Sequence, residues 1–330
     1  MIEGVASARA GLLGNPSDGY FGKAIAISVK NFRAHVYLEE SEDLRIVPSS
    51  EDKESYRRID EFAGQVRLYG YYGGVRLIKA ALKIFYDYCR AHAIELHQKN
   101  FAVGYESTIP RQVGLGGSSA IITAAMRAFM RFYRVEIPLE VQPSLILSAE
   151  RDELDINAGF MDRVTQVYEG CMYMNLDAEL IKEKGHGIYE RLDASLLPSL
   201  YLAYKHSLGK VSGRVLNEIR VNYDKDDPHT VSTLEKIAEL AEKGKEALLA
   251  KDHEKLFRLI DQNFDLRRSI MTINPANQEM IDTARRCGAS AHFAGSGGSI
   301  LGMYRGEDMY GRLAEELGKA GAQVIKPVIT

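Results

Sequence analysis

Apolar residues recur along this chain in two rhythms, one near 3.6 residues and one near 2, and the switches between them outline the elements. From Gly73 to Arg90 the residues Val75, Leu77, Ile78, Ala81, Leu82, Phe85, Tyr86 and Cys89 fall on one helical face. Ile121, Ile122, Ala125, Phe129 and Phe132 do the same further on, and Pro143 opens a third helix running through Leu145, Ile146, Ala149 and Glu150. Strand-like stretches precede them. Residues 4–14 read as a short strand and a turn, followed by the turn-rich Asn15-Pro16-Ser17-Asp18-Gly19-Tyr20. Lys23 to Val29 and Arg33 to Leu38 predict two strands with Asn31 near the turn between them, an antiparallel start. Phe101 to Tyr105 predicts a strand, as does Gly170 to Met174 beyond the segment Ala158 to Val164.

Around Leu192 to Ser199 the composition turns to loop, and Leu200 to Lys205 resembles a fresh strand. A domain boundary is therefore expected near 195, dividing the chain into residues 1–194 and 195–330. Periodicity in the second half predicts helices at 230–250, 253–271 and 275–287, a strand at Ile300 to Tyr304, a helix at 307–320 and a last strand at 322–328. The fold class expected is α+β, with two domains. The charged run Glu39 to Arg58 reads as a solvated excursion, and Tyr69-Gly70-Tyr71-Tyr72-Gly73-Gly74 as a loop entering the first helix, its tyrosines serving either packing or a wall for a ring-shaped ligand.

Composition narrows the partners. With 330 residues, 45% hydrophobic and 26% charged, the chain has an ordinary soluble balance with core enough for two domains. A formal net charge of −3 leaves no excess of cations to neutralise a nucleic-acid backbone, so small-molecule partners are expected. Cys89, Cys171 and Cys287 form no C-x-x-C pair, which suggests neither a disulfide framework nor a zinc site and fits a reducing cytoplasm. Glu3 and Arg9 interrupt the small-residue run at the start, and nowhere does an apolar stretch approach membrane-spanning length, so neither secretion nor a membrane is expected.

Chemistry concentrates in Pro110-Arg111-Gln112-Val113-Gly114-Leu115-Gly116-Gly117-Ser118-Ser119-Ala120, which runs directly into a helix. Glycines at 114, 116 and 117 let backbone N–H groups turn toward an anion where the helix adds its positive end, with Ser118 or Ser119 as its cap. The alternative is a glycine-rich turn before a buried helix. The spacing is neither that of the common P-loop, since no Gly-Lys-Ser/Thr follows, nor a dinucleotide G-x-G-x-x-G. Phosphoryl transfer also needs oxygen donors for Mg²⁺ and a group that deprotonates the attacking hydroxyl. Ser119 with Glu150 offers a hydroxyl and a carboxylate for the metal, and Asp162 is the acid or base candidate. Arg9 has a permanent charge suited either to the transferring phosphoryl or to holding that carboxylate ionised. A second glycine cluster, Ala294-Gly295-Ser296-Gly297-Gly298, precedes an apolar strand in the other half, and two such loops suggest a cleft between domains.

These three segments resemble the GHMP small-molecule kinases: a first motif at Ala8 to Asp18, a P-x-x-x-G-L-G-S-S-A type motif at Pro110 to Ala120, and a terminal glycine loop at Ala294 to Gly298. The resemblance covers nearly the whole chain. It implies the two-domain fold of that family, a ribosomal protein S5 domain 2-like N-terminal domain with a ferredoxin-like C-terminal domain. It implies ATP phosphates on Pro110, Gly114, Leu115, Gly116, Gly117, Ser118, Ser119 and Ala120 with Gly295 and Gly297 opposite, Mg²⁺ on Ser119 and Glu150, Asp162 as base and Arg9 as its assistant. Within the family, Gly11 to Asp18, Tyr71 to Leu77 and Asn263 to Arg268 are similar to the branch that phosphorylates the anomeric hydroxyl of glucuronic acid. An extra glycine at 116–117 and a partial match at His206 to Lys210 depart from that branch and put the sugar in question. A heptose 7-phosphate 1-kinase and a catalytically silent nucleotide or sugar sensor are the competing expectations. A substrate carboxylate would require a cation, for which Lys23, Lys210, Arg267 and Arg268 are open candidates. Asp18 and Tyr20, with Asn15 and Gly159, are expected at the sugar.

Overall fold

The computed structural model describes residues 1–49, 52, 73–206 and 212–329, with the side chains of 212–217 left aside. The tyrosines at 69–72 and Lys210 lie outside these residues, as do residues 50, 51 and 53–58 of the charged excursion.

The architecture grows from one long strand. β1 (Ile2–Leu13) and β2 (Lys23–Ser41) pair antiparallel over almost their whole length. Beyond the short β3 (Arg45–Ile46), α1 (Gly74–Ala91) and β4 (Asn100–Ser107) come α2 (Gly117–Tyr133), α3 (Gln142–Arg151), α4 (Met161–Tyr168), β5 (Cys171–Asn175), α5 (Ala178–Lys184) and β6 (Ile188–Leu192). On its other edge β2 pairs with β4 through Ala34–Ser41 and with β5 through Lys23–Ile27, so one strand serves two neighbours in succession. The expected turn at Asn31 is not formed. Lys30, Asn31 and Phe32 instead make a bulge opposite the junction of Ser7 and Ala8, which bends the strand without ending it. The Asn31 amide donates to Lys326 O at 3.1 Å and its carbonyl accepts from Val328 N at 2.8 Å, so the bulge is secured by the last segment of the chain.

The second sheet follows β7 (Leu200–Tyr204) and helices α6 (Ser212–Tyr223), α7 (Pro228–Leu249), α8 (His253–Ser269) and α9 (Pro275–Arg286). It orders as β10-β7-β9-β8, antiparallel, from β8 (His292–Phe293), β9 (Ser299–Met303) and β10 (Gln323–Ile325), with α10 (Gly306–Lys319) between the last two. The first sheet thus uses residues 2–192 and the second 200–325. Helix starts in this half follow side-chain chemistry: Asp227, Asp252 and Asn274 each cap a helix by accepting from a first-turn N–H.

α2 lies against β1, and Gly4 makes the close approach possible, since a Cβ there would fall 1.9 Å from the carbonyl oxygen of Ala124. Buried side chains of the first sheet and α2 form one continuous core that reaches Leu240, Leu256, Ala294 and Leu301 of the second half. A separate cluster around Tyr201, Phe264, Phe293 and Leu313 fills the second half itself. Together these place the start of α2, the end of β1 and the loop before β9 at one seam.

Candidate active site

The glycine loop emerges from β4 and turns into α2. Gly114 and Gly116 take φ of +72° and +74°, the left-handed region that penalises a Cβ. Gly116, not Ser118 or Ser119, is the N-cap residue of α2, and no side chain caps that end. The helix begins at Gly117, two residues before a Ser118 cap would start it and three before a Ser119 cap, which puts both serines in its first turn. Ser119 is 1% exposed and its Oγ donates back to Gly116 O at 3.0 Å. First-turn amides of a helix have no intrahelical acceptor, so this end presents donors and the positive end of the helix dipole to the cleft.

β1 threads Arg9 beneath this loop. Its backbone N–H donates to Leu115 O at 3.1 Å, and its side chain, 5% exposed, donates from Nε to Asp162 Oδ1 at 2.6 Å and from Nη1 to Gly114 O at 2.5 Å and Ala294 O at 3.3 Å. One guanidinium therefore joins the carboxylate to both glycine loops. Asp162 is the second residue of α4, and its other oxygen stands 3.5 Å from Ser119 Oγ. One turn on, Gln166 Nε2 donates to Gly116 O at 2.8 Å and ties α4 to the cradle.

Glu150 comes from the last turn of α3 and is 2% exposed. Its Oε2 accepts from Arg163 Nη2, and Arg163 Nη1 donates to Gly159 O at 2.7 Å and stands 3.6 Å from Asp162 Oδ2. Burial, reinforced by the Arg9 charge, pulls the Arg163 guanidinium down to about 9. It remains cationic at neutral pH, so the buried Arg9 and Arg163 set two positive charges against the part-buried Asp162 and the buried Glu150.

Asp18 accepts a hydrogen bond from Met161 N at 3.1 Å, next to Asp162. Burial, and then the negative charge of Asp162, push its carboxyl up to about 6. Gly159 is confined against it: a Cβ there would lie 2.2 Å from Asp18 Oδ2. Tyr20 lies beside this turn, and burial raises its hydroxyl to about 12, which keeps it a neutral donor.

The second glycine loop meets the first backbone to backbone. A Cβ on Gly295 would fall 2.1 Å from Gly114 O, and one on Gly114 would fall 2.8 Å from Gly297 O. Asn15 Nδ2 donates to Phe293 O at 3.0 Å and Gly295 O at 2.8 Å, while Asn263 from α8 donates to Asn15 O at 2.9 Å and accepts from Gly14 N at 2.7 Å.

The resulting cleft encloses about 260 Å³ and is lined by Arg9, Asn15, Asp18, Tyr20, Pro110, Gly114 through Ser119, Glu150, Gly159, Asp162 and Gly295. Ala120 is buried behind it, and Gly297, at φ +121°, stands behind Gly295. Three cation candidates fall elsewhere. Arg267 does not line the cleft; it is 1% exposed, held down to about 10 by burial, and spends Nη1 on Gly295 O at 2.8 Å as a loop support. Lys23 pairs with Glu242 at 2.7 Å, and the half-exposed Arg268 lies 3.9 Å from Asp265. Arg163 and Arg220 line the cleft unforeseen, and Gln166 braces its glycine loop. Arg163 and Gln166 carried one signal, their place after Asp162 on the same short helix, whereas Arg220 had none nearby.

This combination of a glycine loop feeding a helix, a buried carboxylate and a second loop from the other sheet defines a class. Residues 76–170 match the family described as GHMP kinases N terminal domain and residues 245–323 match GHMP kinases C terminal. The chain belongs to the GHMP kinase family. Over 327 residues it is 43% identical to Glucuronokinase 1 of Arabidopsis thaliana, covering 97% of this chain and 90% of that protein. Probable glucuronokinase 2 of the same plant is also 43% identical, over 329 residues, with 97% and 89% covered. The crystal structure of Streptococcus pneumoniae phosphomevalonate kinase in complex with phosphomevalonate and AMPPNP shares the fold, with a TM-score of 0.77 over 100% of both chains at 15% identity.

Proposed function

We propose that this protein is a sugar kinase that transfers the γ-phosphoryl group of ATP to the anomeric hydroxyl of D-glucuronate, giving glucuronate 1-phosphate. The observation that carries the reading is Asp162, held by Arg9 at 2.6 Å and facing Ser119 at the mouth of the glycine loop. Identity to glucuronokinases across nearly the whole chain supports the choice of acceptor.

Asp162 accepts the proton of the acceptor hydroxyl as that oxygen attacks, and Arg9 stabilises the carboxylate as an anion until it does so. Gly114 through Ser119 cradle the donor phosphates with first-turn amides and the helix dipole, and Gly295 closes the cradle from the other sheet. Ser119 and Glu150 are hard oxygen donors that both line the cleft, and Mg²⁺ held together with a nucleotide would ask the protein for only one or two ligands. Arg163 engages Oε2 of Glu150, leaving its second oxygen for the metal. ATP supplies the phosphoryl group and Mg²⁺ neutralises its charge. Asp18 and Tyr20, on the turn after β1, orient the sugar. The two sheets act as two domains meeting near residue 195, one carrying the donor cradle and the other its closing loop. Among the described residues no helix is long and apolar enough to cross a membrane, and three free cysteines are compatible with the reducing cytoplasm in which we propose the protein acts.

ADP release measured over a panel of hexuronic acids, hexoses and heptose phosphates tests the reading. Glucuronate is expected to give the highest kcat/KM. Release with a heptose phosphate and none with glucuronate would reassign the acceptor, and no release with any sugar would favour a sensor.

A further inference from the structure

The proposed acceptor carries a carboxylate, and the cleft cations are already divided among tasks. Arg9 is engaged by Asp162 and Arg163 by Glu150, both nearly fully buried, and Arg111 belongs to the glycine loop on the donor side. Arg220 is different in kind. It projects from α6 into the cleft at the opposite wall, one third exposed, and its Nη2 donates to the carbonyl of Gly19 at 2.8 Å. That carbonyl belongs to the turn whose Asp18 accepts from Met161 N, the residue before Asp162. A continuous run of neighbours thus leads from the base to this guanidinium along the acceptor wall.

The side chain is also held flat. Its guanidinium carbon lies 4.4 Å from the ring centre of Tyr20 and 5.9 Å from that of Tyr223, and the two rings pack with centres 4.7 Å apart. Its anionic neighbour is Asp224, 3.7 Å away and 59% exposed, too distant for a short charge-assisted bond. A guanidinium has five N–H donors, one of which serves Gly19, so a fixed fork remains for a planar anion.

We infer that Arg220 receives the carboxylate of the sugar acid and selects hexuronates over neutral hexoses. The inference rests on the acceptor proposed above. In a hexuronate the carboxylate and the anomeric hydroxyl stand on the two carbons that flank the ring oxygen. A cation and a base on one acceptor wall therefore match the two substituents carried on either side of the ring oxygen. Tyr20 acts by fixing the plane of the fork.

Steady-state kinetics of the full chain with glucuronate, glucose and ATP, for the wild type, Arg220→Gln and Arg220→Lys, test this. Losing a charge-assisted pair is expected to raise the KM for glucuronate in R220Q on the order of 30-fold, with R220K in between because it keeps the charge but not the fork. The KM for ATP, and kcat/KM for glucose where the wild type turns it over, should stay within about twofold, with an unchanged KM for ATP showing that the variant is folded. An unchanged KM for glucuronate in R220Q overturns the role of Arg220 while leaving the kinase reading intact. A wild type that does not turn over glucuronate overturns the reading and the inference together. A parallel loss for glucose and glucuronate makes Arg220 a structural support and ends the inference as well.

Discussion

Asp162 and Asp18 are near neighbours, one paired with an arginine and the other with the backbone amide of Met161, and the difference separates their chemistry. Arg9 gives Asp162 a compensating charge. Replacing it by asparagine keeps the size and the hydrogen bond from Arg9 but removes the proton acceptor. Asp162→Asn is expected to lower kcat by on the order of 10²-fold or more with nucleotide binding retained, by titration with a non-hydrolysable ATP analogue. Full turnover in that variant would exclude Asp162 as base. Asp18 has burial against it, and its carboxyl sits near 6 instead of 3.8. The folded protein therefore keeps a proton that the unfolded chain has released between these values, and stability attributable to this group falls as pH rises through that window. Asparagine abolishes the effect. By urea unfolding, Asp18→Asn should gain stability relative to the wild type between pH 4 and 7, by on the order of 1–3 kcal/mol for a shift of about two units. Parallel pH profiles for the two proteins would refute the assignment.

At the scale of elements, the closeness of the two glycine loops makes its own prediction. With Gly114 O only 2.1 Å from where a Cβ of residue 295 would stand, and Arg9 Nη1 at 2.8 Å, Gly295→Ala must push the loops apart. The KM for ATP is expected to rise about tenfold or more, the cost of a lost cradle contact or two. Gly311→Ala on α10, where nothing lies within 4 Å, serves as the control and should leave kinetics alone. These loops were legible in the sequence because glycine marks places where a side chain has no room, whereas their expected role came from the family resemblance. Helices α1, α2, α7, α8 and α9 were legible for a similar reason, since each carries a one-sided apolar face. The continuity of β2 was not: Lys30-Asn31-Phe32 has the polarity of a turn, and only pairing with β1 and the last segment makes it a bulge. The cation was not legible either. Arg267 and Arg268 drew notice as neighbours in one motif, yet whether an arginine supports a loop or faces a ligand depends on tertiary packing that adjacency does not encode.

Across the whole molecule, the two sheets are not independent bodies. The larger core extends from Ala6 and Ile25 of the first sheet to Leu240 and Leu301 of the second half, and Gly244 of α7 is pressed against Leu13, whose Cδ1 would lie 2.1 Å from an added Cβ. Unfolding one half would expose apolar surface of the other. Guanidinium denaturation followed by far-ultraviolet circular dichroism and by near-ultraviolet tyrosine signals is expected to give one coincident transition. Two separated transitions would mean that the halves fold alone and that the seam contributes little.

The fourfold engagement of Arg9 bears on biosynthesis. A chain leaves the ribosome from its N-terminus, so Arg9 is made well before Asp162, and Ala294, whose carbonyl it meets, long after both. Asp162 emerges midway, and the ion pair with Arg9 is available from then on. A nascent chain interrupted before residue 290 contains both partners of that ion pair, yet it lacks the strands that complete the shared core, the last segment that secures the β2 bulge and the loop proposed to close the donor cradle. The charge pair can therefore form before the fold that buries it is complete.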